Sequence, residues 1–190
     1  MKPIPRAVAV LAAVFACGAP AFAADAAAPA APIMIANLTT ALPNVYGYES
    51  WQDRFAPAPG AGFHVMGAKG AQGDGGFCHK LDEPLDLSKC AYIEVALALQ
   101  ANNEVPEYTV ALEDADGTLV WARVRVDQLM PGQPVWMRLP VGGFAVSTDP
   151  KQRGADGKMD WSKVVQWHLQ GDWTTKKRAE VVFIALRGRV

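Results

Sequence analysis

One segment of the sequence, Leu119–Val126, alternates apolar side chains with aromatic and basic ones. In an extended strand, Trp121, Arg123 and Arg125 would share one face, because successive side chains point to opposite sides of a sheet. The valines of the segment would share the other face and pack inward, since a half-buried strand buries its apolar side. An indole ring and two guanidinium groups are then expected on the outer surface of the sheet.

Other segments show the same division between an apolar and a polar face. Trp136 and Arg138 share the polar face of one segment. His168 and Gln170 share that of another, and Glu94 lies opposite the apolar residues of a third. If these faces belong to one sheet, they interleave indole rings with guanidinium, amide and imidazole groups. Sugars are recognised by that combination, because their C–H faces stack on aromatic rings while planar side chains hydrogen-bond their hydroxyl groups.

A carbohydrate is therefore the expected ligand of this surface. The expected ligand-binding residues are Trp121, Arg123, Arg125, Trp136, Arg138, His168 and Gln170. One alternative is that the two tryptophans are covered by the protein's own chain and enlarge the core. Another is that the same face is an assembly surface for a second exported protein.

The sequence lacks the common catalytic and metal-binding signatures. It contains no His-Glu-x-x-His, Gly-x-Ser-x-Gly or Cys-x-x-Cys motif, and its three histidines fall on separate segments. Two carboxylates brought together only by the fold would still allow glycoside hydrolysis, so an enzyme remains a third alternative. The sequence favours a non-catalytic domain, with no catalytic residue, metal ligand or cofactor predicted.

The charge balance is slightly acidic, with 18 Lys and Arg against 19 Asp and Glu. A nucleic-acid partner is not expected, because domains that bind nucleic acids are usually basic. Basic residues do cluster at Lys176–Arg178, and Arg187 and Arg189 follow. A solvated loop and strand edge is the favoured interpretation of this cluster, and an anion-binding patch is the alternative.

The first 23 residues predict a secretory signal peptide. A basic stretch precedes the apolar run Ala7–Ala16, which is too short to span a bilayer, and Ala21-Phe22-Ala23 is a small-x-small cleavage site. We therefore expect a periplasmic or secreted protein without a membrane span. Lipid attachment at Cys17 is the alternative, and it would tether the domain to a membrane.

Residues 24–32 are rich in Ala and Pro and predict an unstructured tether before a single domain at residues 33–190. Two cysteines, Cys78 and Cys90, lie in that domain. In an oxidising compartment, such a pair most simply predicts a disulfide, and two buried thiols are the alternative.

Short segments of period-two hydrophobicity recur through this domain between clusters of Gly, Pro, Asn and Asp. That pattern is typical of a β-sandwich or barrel. Asp116-Gly117 predicts a hairpin turn, because this dipeptide tolerates the positive φ of tight turns. The predicted strands are residues 91–99, 108–113, 118–126, 135–139, 164–170 and 181–186, with weaker candidates at 33–40, 62–66 and 75–80.

Several motifs occur in the order seen in galactose-binding-like jelly rolls. Residues 85–95, LDLSKCAYIEV, resemble the LDLSKYDYIEF segment of that group. The strand Trp136-x-x-Leu139-Pro140, followed by Phe144, and the turn Asp160–Val164 are further matches. The group includes carbohydrate-binding modules and the related domain of the complex I intermediate-associated protein 30 family.

This resemblance implies an all-β fold, with two antiparallel sheets packed face to face as a β-sandwich. It also implies that a ligand lies on one sheet or in the loops at one end. The last predicted strand departs from the group, because Val182–Leu186 lacks the acidic residues of the family's IDDI segment. A structural calcium is therefore not assumed.

Overall fold

The computed structural model describes residues 30–58, 60, 62–65 and 71–190. The predicted signal peptide (residues 1–23), the alternative lipidation site Cys17 and most of the predicted tether (residues 24–32) lie outside the described residues. Within the described part of the chain, no helix is long and apolar enough to cross a membrane.

The described residues form twelve β-strands and two single-turn 3-10 helices, without an α-helix. The strands are β1 (Ile33–Asn37), β2 (Tyr46–Glu49), β3 (Phe55–Ala58), β4 (Gly62–Val65), β5 (Gly75–Leu85), β6 (Tyr92–Leu99), β7 (Glu107–Asp114), β8 (Leu119–Arg125), β9 (Val135–Pro140), β10 (Ala145–Val146), β11 (Val164–Gln170) and β12 (Val181–Arg189).

These strands form two antiparallel sheets of six strands each, which confirms the predicted β-sandwich. In the first sheet the order is β3-β4-β12-β6-β9, and β1 also pairs with β12. In the second sheet the order is β10-β8-β7-β11-β5-β2. Neighbours along both sheets are often distant in sequence, as in a jelly roll.

Aromatic side chains from both sheets fill the space between them. Phe77 of the second sheet lies 5.1 Å from Phe63 and 5.7 Å from Phe183 of the first, measured between ring centroids. Trp51 and Trp167 are fully buried in the same cluster. Burying one such side chain is worth about 1.5–3 kcal/mol, so this aromatic cluster is a major part of what holds the sheets together.

All nine predicted strands are present in the structure, with small differences at their ends. The largest is in β5, which continues to Leu85 rather than ending at Lys80. The sequence pattern does not predict β2, β3 and β10, which have only two to four residues each. Strands β2 and β3 contain a glycine and a proline, respectively, and both residue types are depleted in strands.

The predicted disulfide is wrong, because Cys78 and Cys90 are both buried free thiols. Cys78 lies on β5 in the second sheet, whereas Cys90 lies just before β6 of the first sheet, beside Gly188. The Cys78 side chain lies on the outer face of its sheet, whereas Cys90 belongs to the core between the sheets, so the two thiols are not directed toward each other. Burial raises the pKa of both thiols, which keeps them protonated and unreactive.

Candidate functional site

A groove of about 680 Å³ lies on the outer face of the second sheet. Strands β2, β5, β7, β8 and β11 supply its floor, and the segments that follow β10 and β11 supply parts of its rim. Its position on the side of the sheet away from the core leaves it open to solvent.

The register of the second sheet aligns one row of side chains across five strands of this floor. The row consists of Tyr46, Cys78, His168, Ala111 and Trp121, each opposite the next on the neighbouring strand. Trp121 and His168 are thus brought to one surface, as the sequence analysis expects, although they are 47 positions apart in the chain.

A second row lies two residues further along each strand and therefore faces the same way. It consists of Tyr48, Gly76, Gln170, Thr109 and Arg123. Gly76 is required here, because a Cβ at this position would lie 2.6 Å from the Tyr48 hydroxyl oxygen and 2.9 Å from Cγ of Gln170. Without a side chain at residue 76, the Tyr48 ring lies against the sheet.

The opposite face of β8 packs inward, as predicted. Val120, Ala122 and Val124 are buried in the core between the two sheets. On the outward face Arg123 is exposed, and Trp121 is partly buried in the groove wall. The period-two pattern of this strand therefore assigns its two faces correctly.

Aromatic rings line both sides of the groove. On one side the rings of Tyr48 and Trp173 stack, with centroids 6.2 Å apart and planes inclined by 14°. Trp173 is 48% exposed, and its indole Nε1 donates a hydrogen bond of 3.0 Å to Oε1 of Gln170. Trp121 lies on β8, across β7, β11 and β5 from Tyr48 on β2, and the Arg123 guanidinium is 5.5 Å from its ring centroid.

His168 is the centre of a hydrogen-bond network on the floor. Its Nδ1 lies 3.4 Å from the Tyr48 hydroxyl, and its Nε2 lies 3.1 Å from the Gln166 amide nitrogen and 3.7 Å from a Glu113 carboxylate oxygen. When the Gln166 amide donates to Nε2, the neutral imidazole carries its hydrogen on Nδ1 and donates to the Tyr48 oxygen. The phenol hydrogen of Tyr48 is then free for a ligand.

Tyr48 remains a neutral donor over the physiological range. Burial raises the pKa of its phenol far above the ordinary value, because the charged phenolate would lose its hydration. The Tyr46 ring at the groove edge is 55% exposed. The pKa of Tyr46 is also raised, chiefly by its hydrogen bond with Cys78.

The charged side chains at the rim form an ion pair and hydrogen bonds within the protein. Arg123 forms an ion pair with Glu107. The Asp172 carboxylate accepts hydrogen bonds of 2.9 Å from the Thr174 backbone N–H and 2.6 Å from its hydroxyl. Burial alone would raise the pKa of Asp172, but these hydrogen bonds and the nearby Arg123 charge outweigh it and lower that pKa. Asp172 is therefore ionised at neutral pH.

The expectation that all seven predicted ligand-binding residues share one surface is wrong. Trp136 and Arg138 lie on β9 of the first sheet, on the outer face opposite to the groove. Arg125 lies on β8 beyond the groove lining, where its guanidinium is 2.6 Å from the Asp127 carboxylate. The physical reason is that a period-two pattern assigns a residue to a face of its strand but does not assign that strand to a sheet.

Three aromatic residues of the groove, Tyr46, Tyr48 and Trp173, are missed by the sequence analysis. The tyrosines alternate around Gly47, a pattern that a short edge strand would show. Trp173 lies three residues after Gln170, in the segment that leaves β11. Both patterns are present in the sequence, but each spans too few residues to be told apart from an ordinary loop segment.

Among the residues that the structure describes, no group of three or more His, Cys, Asp or Glu side chains is arranged to hold a metal ion. The side chains that line the groove offer aromatic stacking and hydrogen bonding.

Comparison with known proteins identifies the fold. No family model matches the sequence, and no curated protein matches it. The structure is similar to the family 11 carbohydrate-binding module of the cellulosomal cellulase Lic26A-Cel5E of Clostridium thermocellum, with a TM-score of 0.56 and 16% identity over 85% of this chain and 95% of that one.

A second similar structure is the family 11 carbohydrate-binding module from Clostridium thermocellum in complex with a β-1,3-1,4-mixed-linked tetrasaccharide. Its TM-score is 0.54, with 16% identity over 84% of this chain and 96% of that one. At this identity the likeness concerns the fold. The chain therefore has a two-sheet β-sandwich fold similar to that of these two carbohydrate-binding modules, which agrees with the jelly-roll fold that its motif order implies.

Proposed function

We propose that this chain is a non-catalytic carbohydrate-binding domain that holds a glycan in the groove of the second sheet. The observation that carries the proposal is the pairing of aromatic rings on both sides of the groove with hydrogen-bonding side chains on its floor. The stacked Tyr48 and Trp173 form one side, and Trp121 forms the other.

The groove has groups complementary to both the C–H face and the hydroxyl groups of a sugar. The C–H face of a pyranose ring would cover the exposed part of Trp173, which removes apolar surface from water. Gln170, Thr109 and the Tyr48 hydroxyl lie on the floor within the same groove, where they would donate to and accept from sugar hydroxyl groups. A volume of about 680 Å³ is within the usual range of ligand sites.

The charge of the groove favours a neutral glycan. Its lining carries the carboxylates of Glu107 and Asp172 and one guanidinium, that of Arg123. A polymer with many carboxylates would meet like charges at this rim, which is unfavourable. The two similar solved structures support the proposal, since both are carbohydrate-binding modules and one is in complex with a β-1,3-1,4-mixed-linked tetrasaccharide.

A binding role is favoured over catalysis by the state of the rim carboxylates. Glycoside hydrolysis uses one carboxyl group as a general acid, which must be protonated at working pH. Glu107 is ion-paired with Arg123, and the pKa of Asp172 is lowered, so neither is suited to that role. The predicted signal peptide supports action in the periplasm or outside the cell, or on a membrane if Cys17 is lipidated.

The proposal is tested with a glycan array followed by calorimetric titration of the neutral oligosaccharides that bind. Trp173→Ala and Trp121→Ala should each weaken binding at least about tenfold, because aromatic contacts dominate such interfaces. Trp136→Ala is a matched control, since it removes an exposed indole from the opposite sheet and should leave the affinity for neutral glycans unchanged.

Circular dichroism of each variant checks that the fold is retained. A broad array without any bound glycan would contradict the proposal. A stoichiometric exported protein that binds through the groove and is lost on Trp173→Ala would instead assign the groove to protein recognition.

A further inference from the structure

The outer face of the first sheet carries a cluster of arginines, which we name the arginine face. Its central row is Arg187, Glu94 and Arg138 on the adjacent strands β12, β6 and β9. Arg189 lies two residues beyond Arg187 on the same strand and also faces Glu94, at 3.8 Å between Nε and Oε2. The arginine face is separate from the groove, because the groove lies on the other sheet.

Glu94 organises these guanidinium groups. Arg138 Nε donates to its Oε1 at 3.0 Å, and Arg187 Nε donates to its Oε2 at 2.7 Å. The sequence places Glu94 on the outer face, and the structure agrees, but the residue is only 3% exposed beneath the arginines. Burial would raise the pKa of Glu94, yet the two hydrogen bonds lower it, so the carboxylate stays ionised.

The charges of this cluster do not balance. Three guanidinium groups surround one carboxylate, so two positive charges are left over within the cluster. A guanidinium has five N–H donors, and a carboxylate accepts about four hydrogen bonds, so the three arginines have more donors than Glu94 can accept from. The Arg138 side chain is 60% exposed, which puts part of this capacity in contact with solvent.

Aromatic rings fix the orientation of two of the arginines. The Arg187 guanidinium carbon lies 3.6 Å from the ring centroid of Trp136, and that of Arg138 lies 5.1 Å from the ring centroid of Tyr92. Such cation–π contacts, together with the Glu94 carboxylate, hold the guanidinium planes in place before a ligand arrives. A preorganised planar donor set binds carboxylates in two-point contacts, which a flexible ammonium group does not.

From this charge and geometry we infer that the arginine face is a second binding site, which takes a polysaccharide bearing carboxylate groups. A uronic acid polymer supplies carboxylates at regular intervals and binds on an open face where the arginines stay partly hydrated. An acidic protein would bury the same charges more completely, and that burial is costly unless every charge is matched. This inference does not rest on the groove, which favours neutral ligands.

The test compares two forms of one polymer with the full-length protein. Polygalacturonate carries a free carboxylate on each sugar, and its fully methyl-esterified form keeps the backbone without the charge. Affinity electrophoresis or calorimetry should show binding to the free acid at least about tenfold tighter than to the ester. That binding should weaken as NaCl rises from about 0.05 to about 0.5 M, because screening reduces exposed electrostatic attraction.

A pair of arginine variants locates the site. Arg138→Gln should weaken polygalacturonate binding about tenfold, while Glu94 keeps its hydrogen bond from Arg187. Arg125→Gln removes an exposed guanidinium from the second sheet, outside the groove and the arginine face, and should leave that binding unchanged. Equal affinity of the wild-type protein for the two polymers would overturn the inference, as would equal losses in both variants.

Binding of poly-glutamate tests whether the arginine face recognises an acidic protein instead of an acidic polysaccharide. If poly-glutamate binds and polygalacturonate does not, the arginine face recognises acidic protein and the inference is overturned. Loss of neutral glycan binding in the groove variants, with polygalacturonate binding intact, would support two independent sites.

Discussion

Gly76 controls the shape of the groove at the scale of a single residue. It lies opposite Tyr48 and Gln170 in the second sheet, and its missing side chain is the space that the Tyr48 phenol occupies. The Tyr48–Trp173 stack depends on that position of the ring. A side chain at residue 76 would therefore displace the Tyr48 ring or Gln170 from their positions in the groove.

Gly76→Ala should therefore abolish or strongly weaken glycan binding while the sandwich still folds. The new methyl group would displace Tyr48 and Gln170, at a cost of about 1–3 kcal/mol of folding free energy, typical of overpacking. Thermal unfolding and calorimetric titration measure the two effects. Gly142→Ala is the matched control, because a Cβ there meets no atom within 4 Å. Unchanged glycan affinity in Gly76→Ala would show that the stack is not part of the binding site.

At the scale of an element, the buried side chain of Asp114 stabilises the β7–β8 hairpin. Asp114 ends β7, and its side chain accepts hydrogen bonds from the backbone N–H of Thr118 at 2.9 Å and of Asp160 at 2.7 Å. It thereby connects the hairpin turn to the segment that precedes β11. Both strands carry groove residues, so this contact supports the site from one end.

Asp114→Ala should lower the free energy of unfolding by about 2–4 kcal/mol, because the Asp160 N–H loses its acceptor and the Thr118 N–H keeps only the weaker support of Asp116. Urea unfolding followed by tryptophan fluorescence measures the change. Asp156→Ala serves as the comparison, since the exposed Asp156 accepts a backbone hydrogen bond from Lys158 at 2.8 Å and should cost less than about 1 kcal/mol. Similar losses in both variants would contradict a special role for Asp114.

The sequence is informative about elements and less so about their arrangement. Alternation along residues 119–126 correctly separates the buried valines from Trp121 and Arg123, because burial of one face imposes period two. The same alternation in β9 is equally clear, yet it does not reveal that Trp136 belongs to the other sheet. Strand pairing depends on contacts between residues far apart in the chain, which local patterns do not encode.

At the scale of the whole molecule, the sandwich separates two chemically different faces. The groove offers aromatic rings with a slightly acidic rim, whereas the arginine face offers an excess of positive charge. Two sheets about 10 Å apart lie between them, so a ligand on one face does not block the other. The proposed functions of the two faces are compatible for this reason, and a domain with both would bring neutral and acidic polymers together.

The stability of the whole molecule should fall at alkaline pH because of two buried tyrosines. Burial raises the pKa of both Tyr48 and Tyr108 far above the ordinary value. In the unfolded chain both phenols ionise above pH of about 10, whereas in the folded protein they remain protonated. The unfolded state then binds fewer protons, so stability that is fully present below pH of about 10 is lost as pH rises further, by about 1.4 kcal/mol per pH unit for each tyrosine.

Urea unfolding at a series of pH values measures this slope, and phenylalanine substitutions identify its source. Lysine and other groups titrate in the same range, so the informative quantity is the difference between the wild-type protein and each variant. Tyr48→Phe and Tyr108→Phe should each flatten the decline above pH of about 10 by about 1.4 kcal/mol per unit, with little change of slope near neutral pH. Tyr46 is 55% exposed and has less burial to raise its pKa, so Tyr46→Phe should change the slope less than either substitution. A Tyr48→Phe variant whose stability declines as steeply as that of the wild-type protein would show that the Tyr48 phenol ionises in the folded state, which would contradict its raised pKa.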